Sequence, residues 1–311
     1  MKVIVTGASG FLGSNVLMPL LARGHEVVAV GRHAPAPHLQ HSALFWEKVD
    51  LLSPAQLAAV VKKQKADGLI HCAWDARPGA YWTSPDNLRW VAASLLLFEA
   101  FHANGGKRVV VAGSSAEYEW AGDQALSETA TPLRPASLYG TSKNALRQVL
   151  EAWANTNDVS WAWGRIFNIF GANEKQNRLI PRVVKSLLQD KPIEFDDGLL
   201  YRDFLSVEEV GDAFAAMLDS DIQGPVNVAG GQSESIRDLL SHIATILKKT
   251  ELVSFDDDKK NTSEPLSVVA SIERLKTELH WEPSHSMHDH LVRTIDWWRT
   301  NQKLTNEYSG A

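Results

Sequence analysis

The chain is poor in features that would decide its class at once. It has a single cysteine, Cys72, in 311 residues, so no disulfide framework can form within it, and a reducing, cytoplasmic setting is expected. It has no block of basic residues, and its formal net charge is -6, which argues against nucleic acid as a main partner. No apolar run reaches the ~18 residues of a membrane helix, so no membrane partner is expected. No charged leader or cleavage site precedes the first strand pattern, which begins at Lys2. No internal repeat is visible.

What is present suits a buried core. Hydrophobic residues make up 44% of the chain, enough for one large domain or two modest ones. Short apolar strands alternate with helical patterns. Lys2 to Thr6, His25 to Val30, Phe45 to Val49, Gly68 to Cys72, Arg108 to Ala112 and Ser160 to Ile166 read as strands. Ser14 to Arg23, Pro54 to Lys65, Asn87 to Asn104 and Ser137 to Asn155 read as helices. This alternation predicts an α/β fold with a doubly wound parallel sheet, both faces covered. The pattern loosens after about Gly171. We therefore expect residues 1–170 to form a dinucleotide-binding half carrying the catalytic residues. Residues 171–311 are expected to form a smaller, mixed, mainly substrate-binding region, with the chain free to cross back once.

Two motifs carry the chemistry. The first is the turn Thr6-Gly7-Ala8-Ser9-Gly10-Phe11-Leu12-Gly13, between a strand and a helix. Gly7, Gly10 and Gly13 permit a tight turn and close approach to a pyrophosphate, and the helix that follows offers free N–H groups. A lone glycine trio is a weak signal; its strand–turn–helix setting strengthens it. Gly7, Ser9, Gly10, Phe11, Leu12 and Gly13 are thus candidate cofactor contacts. The second strand ends Val30-Gly31-Arg32-His33, without the acid that would hold a ribose 2′-hydroxyl. Arg32 can pair with a 2′-phosphate, which favours NADP, with NAD as the alternative. Asp50-Leu51 is placed to meet the adenine edge, although Asp50 can equally serve the helix beginning near Pro54, where Ser53 is the better cap.

The second motif is Tyr139-Gly140-Thr141-Ser142-Lys143. Tyr139 and Lys143 lie at i and i+4 and share one helix face. A free tyrosine titrates near ~10, and a neighbouring ammonium is expected to lower it. The strand Val109 to Ala112 runs into Gly113-Ser114-Ser115, placing hydroxyls at a carboxyl strand end. A phenol, an ammonium and a hydroxyl together supply a general acid and an oxyanion partner. Alone, Y-x-x-x-K would read as a solvated helix face.

With these residues in view, nearly the whole chain resembles the extended short-chain dehydrogenase/reductase family of nucleotide-sugar epimerases, dehydratases and ketoreductases. TGASGFLG (Thr6 to Gly13) and YGTSK (Tyr139 to Lys143) match its cofactor turn and catalytic helix. Arg165 to Gly171, Tyr201 to Val207 and Leu279 to Pro283 resemble three further family segments in order. The resemblance implies Ser114 as the catalytic hydroxyl with Ser115 as alternate, Ala73 beside the cofactor, and Asn168 and Arg202 on a substrate diphosphate. It also implies a homodimer built on the Asn87 and Ser137 helices. Glu117 is a candidate sugar ligand, set against a structural, hydrogen-bonded role. Three departures stand out. Ala116 takes part of the Asp-Glu pair that dehydratases use. Trp90 falls where many members carry asparagine. Trp74 follows Ala73 where a small residue is usual.

The reading is an NADP-dependent reductase of a nucleotide-linked keto-sugar, most simply a 4-keto-6-deoxyhexose. Two alternatives stand beside it: an epimerase with tightly bound NAD, and a non-catalytic NADP-sensing protein. No metal is expected. His285, His288, Asp289 and His290 fit no zinc spacing and read as a solvated helix start. His33, His38 and His41, among Pro35 and Pro37, read as a loop over the adenosine end.

Overall fold

The computed structural model describes residues 1–33, 39–262 and 264–301. Pro35, Pro37 and His38 lie outside the described residues. The first half alternates β1 (Lys2–Thr6), α1 (Phe11–Ala22), β2 (Glu26–Gly31), β3 (Leu44–Lys48), α2 (Pro54–Gln64), β4 (Gly68–His71), α3 (Asp86–Ala103), β5 (Arg108–Ser114), α4 (Leu138–Asn157) and β6 (Ser160–Ile166). The chain continues through β7 (Asn168–Phe170), α5 (Leu179–Leu188), β8 (Ile193–Phe195), β9 (Tyr201–Arg202), β10 (Phe204–Ser206), α6 (Val207–Asp219) and β11 (Gly224–Val228). It ends in β12 (Glu234–Ser235), α7 (Ile236–Leu247), β13 (Val253–Phe255), β14 (Ser267–Val268), α8 (Glu273–Thr277) and α9 (Met287–Asn301).

Seven strands form one parallel sheet in the order β11-β6-β5-β4-β1-β2-β3. Side chains along a strand point alternately to its two faces, and here both faces are apolar. Val3, Val5, Val27, Ala29, Ile70, Val110 and Ala162 enter one core, with Leu17 and Leu20 of α1 and Val210 and Phe214 of α6. Ile4, Val28, Val30, Leu69, Val109, Val111 and Trp161 enter the other, with Leu57 of α2, Phe98 of α3 and Leu146 of α4. This explains why the strands read as unbroken apolar runs. The expected Rossmann-type fold is present.

β1 has β2 on one side and β4 on the other, so the order of strands reverses at β1 and opens a crevice at their carboxyl ends. After residue 171 the chain returns to the large sheet: β11 pairs with β6, from Gly224 opposite Ala162 to Val228 opposite Ile166. A third core gathers α5, α7 and α9 around Ile180, Leu239, Ile243, Leu291 and Trp298. Among the described residues, no helix is long and apolar enough to cross a membrane.

Candidate functional site

At the end of β1 the chain turns through Gly7 with φ +68, a conformation that strains any side-chain-bearing residue. A Cβ on Gly7 would lie 2.7 Å from the Ala73 nitrogen, and one on Gly13 would lie 2.2 Å from the Gly7 oxygen. Glycine alone lets these backbone segments close on each other. Ser9 and Gly10 stand exposed on the turn, while Phe11 and Leu12 are half-buried. α1 begins at Phe11, earlier than the expected Ser14, and no side chain caps it. Its first N–H groups therefore face outward, a donor set that fits a dinucleotide's diphosphate. Ala73 is buried beside the turn. Behind the turn, Thr6 Oγ1 bonds His71 Nδ1 (2.7 Å), and His71 Nε2 bonds Ser94 Oγ (2.8 Å). Burial, helped by Lys143, lowers the His71 pKa to about 3, so this clamp between β1, β4 and α3 works as a neutral ring.

Arg32 is exposed where β2 ends. Leu51 is buried, and Asp50 is exposed, with its carboxylate accepting from the Leu52 N–H (3.1 Å). Asp50 thus shapes its own turn. Ser53 precedes α2 without a side-chain cap.

The second motif opens α4. Ser137 Oγ accepts from the Gly140 N–H (3.1 Å) and starts the helix. A Cβ on Gly140 would lie 2.1 Å from the Ala116 oxygen, so the helix start rests directly on the short 3-10 turn Ser115–Glu117. That contact brings Tyr139 to the end of β5, beside Ser114. Lys143, buried one turn on, donates to the Ala112 carbonyl (2.8 Å). Loss of water around the phenol raises the Tyr139 pKa, against the nearby Ser114 hydroxyl, which lowers it. The expected lowering by a neighbouring ammonium is therefore corrected: Lys143 Nζ is 6.0 Å from the ring centroid, and desolvation wins. Burial also lowers the Lys143 pKa to about 7, with Glu117 opposing.

Aromatic rings wall this cluster. Tyr81, Trp82 and Trp74 stand edge-on to Tyr139, with centroids 4.8, 5.8 and 6.4 Å away, and Trp120 adjoins Trp82 at 6.2 Å. The Trp82 carbonyl accepts from the Tyr139 N–H (3.1 Å). Arg178, just before α5, lies over the Tyr81 ring, its guanidinium carbon 5.8 Å from the centroid. Sequence reasoning missed Tyr81, Trp82 and Arg178. The aromatic density of residues 74–82 was the available signal for the first two; no local motif marks Arg178.

Several candidates have other partners. Glu117 is not positioned as a sugar ligand. It is fully buried and bonds Arg165 Nε (2.9 Å), Trp163 Nε1 (2.8 Å) and the Ser114 N–H (2.8 Å), which leaves it facing the protein interior. Ser115 is buried, and its carbonyl accepts from Trp120 Nε1 (2.8 Å). Asn168 is half-buried, its amide 3.4 Å from the Asp203 carbonyl. Arg202 is buried and donates to the carbonyls of Tyr201 (2.9 Å) and Pro265 (3.0 Å) and to Glu264 (2.8 Å). Asp203 instead takes the N–H groups of Gly230, Gly231 and Ala270, and burial raises its pKa to about 6. The histidine run is not simply a solvated helix start either. His290 is buried against Glu209 (3.0 Å), and Glu209 also holds Ser284 and His285. Glu209, His285 and His290 bring ligand-type atoms within 4.8 Å of one another, and direct hydrogen bonds already join them.

Residues 3–229 match the model of the NAD dependent epimerase/dehydratase family. The chain is 28% identical to the dTDP-6-deoxy-L-talose 4-dehydrogenase (NAD(+)) of Aggregatibacter actinomycetemcomitans, over 76% of this chain and 87% of that one. It superposes on the UDP-N-acetylglucosamine 4-epimerase from Methanobrevibacter ruminantium M1, in complex with UDP-N-acetylmuramic acid, with a TM-score of 0.86. Identity there is 25%, over 96% of this chain and 98% of that one. MoeE5 in complex with UDP-glucuronic acid and NAD gives 0.83 at 29% identity, over 97% and 100%.

Proposed function

The chain belongs to the NAD dependent epimerase/dehydratase family and is an enzyme, and from that premise we propose an NADP-dependent reductase of nucleotide-linked 4-keto-6-deoxyhexoses. The observation that carries this reading is the Tyr139–Ser114–Lys143 cluster at the end of β5, in the crevice that also holds the glycine cradle. A nicotinamide cofactor held at the glycine turn would supply a hydride for the carbonyl carbon. Tyr139, kept protonated by its surroundings, gives its proton to the oxygen as negative charge develops there. Ser114 orients that oxygen, and Lys143 places positive charge beneath the cluster. Gly7, Ser9, Gly10, Phe11, Leu12, Gly13, Asp50, Leu51 and Ala73 would line the dinucleotide. The exposed Arg32, with no acid at the end of β2, supports NADP.

The rings of Tyr81 and Trp82 suit the C–H face of a deoxysugar, and the dTDP-6-deoxy-L-talose 4-dehydrogenase supports chemistry at the 4-position of such a sugar. Asn168 and Arg202 are the proposed diphosphate contacts, the latter on displacement of Glu264. Residues 1–170 mainly serve cofactor and catalysis, and 171–311 the substrate. Leu88 and Leu96 of α3 and Val149 of α4 are exposed and support a homodimer across these helices. A second reading, an epimerase retaining NAD, is favoured by the likeness to the UDP-N-acetylglucosamine 4-epimerase. The test begins with purified protein checked for bound nucleotide, then titrated with NADPH and NADH and assayed on a dTDP-4-keto-6-deoxyhexose. Expected are an empty protein, NADPH binding at least about tenfold tighter than NADH, and stoichiometric NADPH consumption. Copurified NAD with no net consumption moves the epimerase to the front.

A further inference from the structure

Trp74 and Trp90 meet in space, stacked with centroids 6.2 Å apart and planes at 27°. The Trp74 indole N–H donates to Asn87 Oδ1 (2.8 Å). Asn87 is itself buried, and its amide donates to the carbonyls of Tyr81 (2.8 Å) and Ser84 (2.9 Å). Trp74 is thus fixed both through its face and at its edge. The Lys143 Nζ lies over the same indole, 3.9 Å from the centroid.

That contact matters because Lys143 has so little else. Its ammonium is buried and, among the described residues, makes one hydrogen bond, to the Ala112 carbonyl. The carboxylate that acts on it, Glu117, is already committed to Arg165, Trp163 and Ser114. The other titratable groups around it are Cys72 and His71 at the end of β4, and Tyr139 on its own helix. A desolvated ammonium is attracted to the electron-rich face of an indole more strongly than an exposed one. We propose that Trp74 is a positioning residue, an indole platform, backed by Trp90 and locked by Asn87, that fixes the Lys143 ammonium beside Tyr139 and Ser114. A small residue at position 74 would offer no such face. The inference rests on the reading of Tyr139 and Lys143 as the reacting pair.

The test compares wild type with Trp74→Phe and Trp74→Leu. Lys143 Nζ is titrated by NMR on protein carrying ¹⁵N-lysine, its signal assigned with Lys143→Met, and the pH profile of turnover is recorded alongside. Trp74→Leu is expected to lower the Lys143 midpoint by about one pH unit and to move the matching limb of the turnover profile with it. Trp74→Phe, which keeps a ring, should restore most of both. A Trp74→Leu protein that is slower but has an unmoved midpoint overturns the proposal. If Trp74→Leu does not fold, Asn87→Leu frees the indole edge while keeping the ring. A smaller downward shift then supports the platform, and no shift overturns it. Should Tyr139→Phe retain full turnover, the proposed reaction fails, while the NMR midpoint still decides the role of Trp74.

Discussion

Replacing Glu117 by glutamine tests how the candidate catalytic strand end is held. Both Glu117 and Arg165 have side chains at 0% exposure. Glutamine keeps the shape and an oxygen for the Trp163 and Ser114 N–H groups, but leaves the guanidinium without its counter-charge. Tyr118 still accepts from Arg165 Nη1 (2.9 Å), while among the described residues Nη2 has no hydrogen-bond partner even in the native arrangement. Removing one member of a buried pair costs about 3–5 kcal/mol. Glu117→Leu should cost more, because it also orphans two buried donors at roughly 1–3 kcal/mol each, not fully additive. Against a typical total of about 5–15 kcal/mol, either change is severe. Urea unfolding should show a lower midpoint with an unchanged slope. Glu117→Met with Arg165→Met, which removes both charges, should be closer to wild type than either single change. A Glu117→Gln protein within about 1 kcal/mol of wild type, or a double variant no better than the singles, would refute the reasoning.

Three further outcomes are expected. Tyr139→Phe should fold normally and lose about 10²–10⁴ in kcat, as removal of a general acid does, read from steady-state NADPH oxidation. Burial alone would raise the Glu209 pKa, but hydrogen bonds from His290, Ser284 and His285 hold it at about 2, below the ordinary 4.5. That is at most roughly 3 kcal/mol of stability, and less with solvent screening, fully present above pH ~4.5 and lost as pH falls through ~2. Stability against urea measured from pH 6 down to 2 should fall in wild type, and Glu209→Gln should lack that component and be weaker at neutral pH. Gly13→Ala forces a Cβ to within 2.2 Å of the Gly7 oxygen; fluorescence titration should show dinucleotide affinity at least about tenfold weaker.

Much of the sheet was legible because its inner strands are apolar on both faces and several helices carry a boundary signal. Ser137 and Gly24 mark such boundaries, and the errors at α1 and α3 amount to a few residues. The glycine turn and Tyr139–Lys143 were legible because their chemistry depends on spacing along one element. Other features depend on contacts between distant segments. The Glu117–Arg165 pair joins positions 48 residues apart, and the Glu209–His290 pair joins positions 81 apart. A carboxylate's fate is set by what the fold packs against it, which a short motif does not contain. The same holds for Tyr139, whose titration follows the rings of Tyr81, Trp82 and Trp74 more than the lysine one turn away.

The return of β11 to β6 also has a consequence for synthesis. The edge of β6 (Ser160–Ile166) stays unpaired until residues 224–228 have left the ribosome. At about 5–20 residues per second, this interval of about 60 residues lasts roughly 3–12 seconds. For that time a nascent chain carries an apolar strand, with Trp161 and Trp163, whose hydrogen-bonding edge is open to any passing strand. Chains stalled or truncated before Gly224 should therefore be captured by chaperones or aggregate, while chains extended past Val228 close their own sheet.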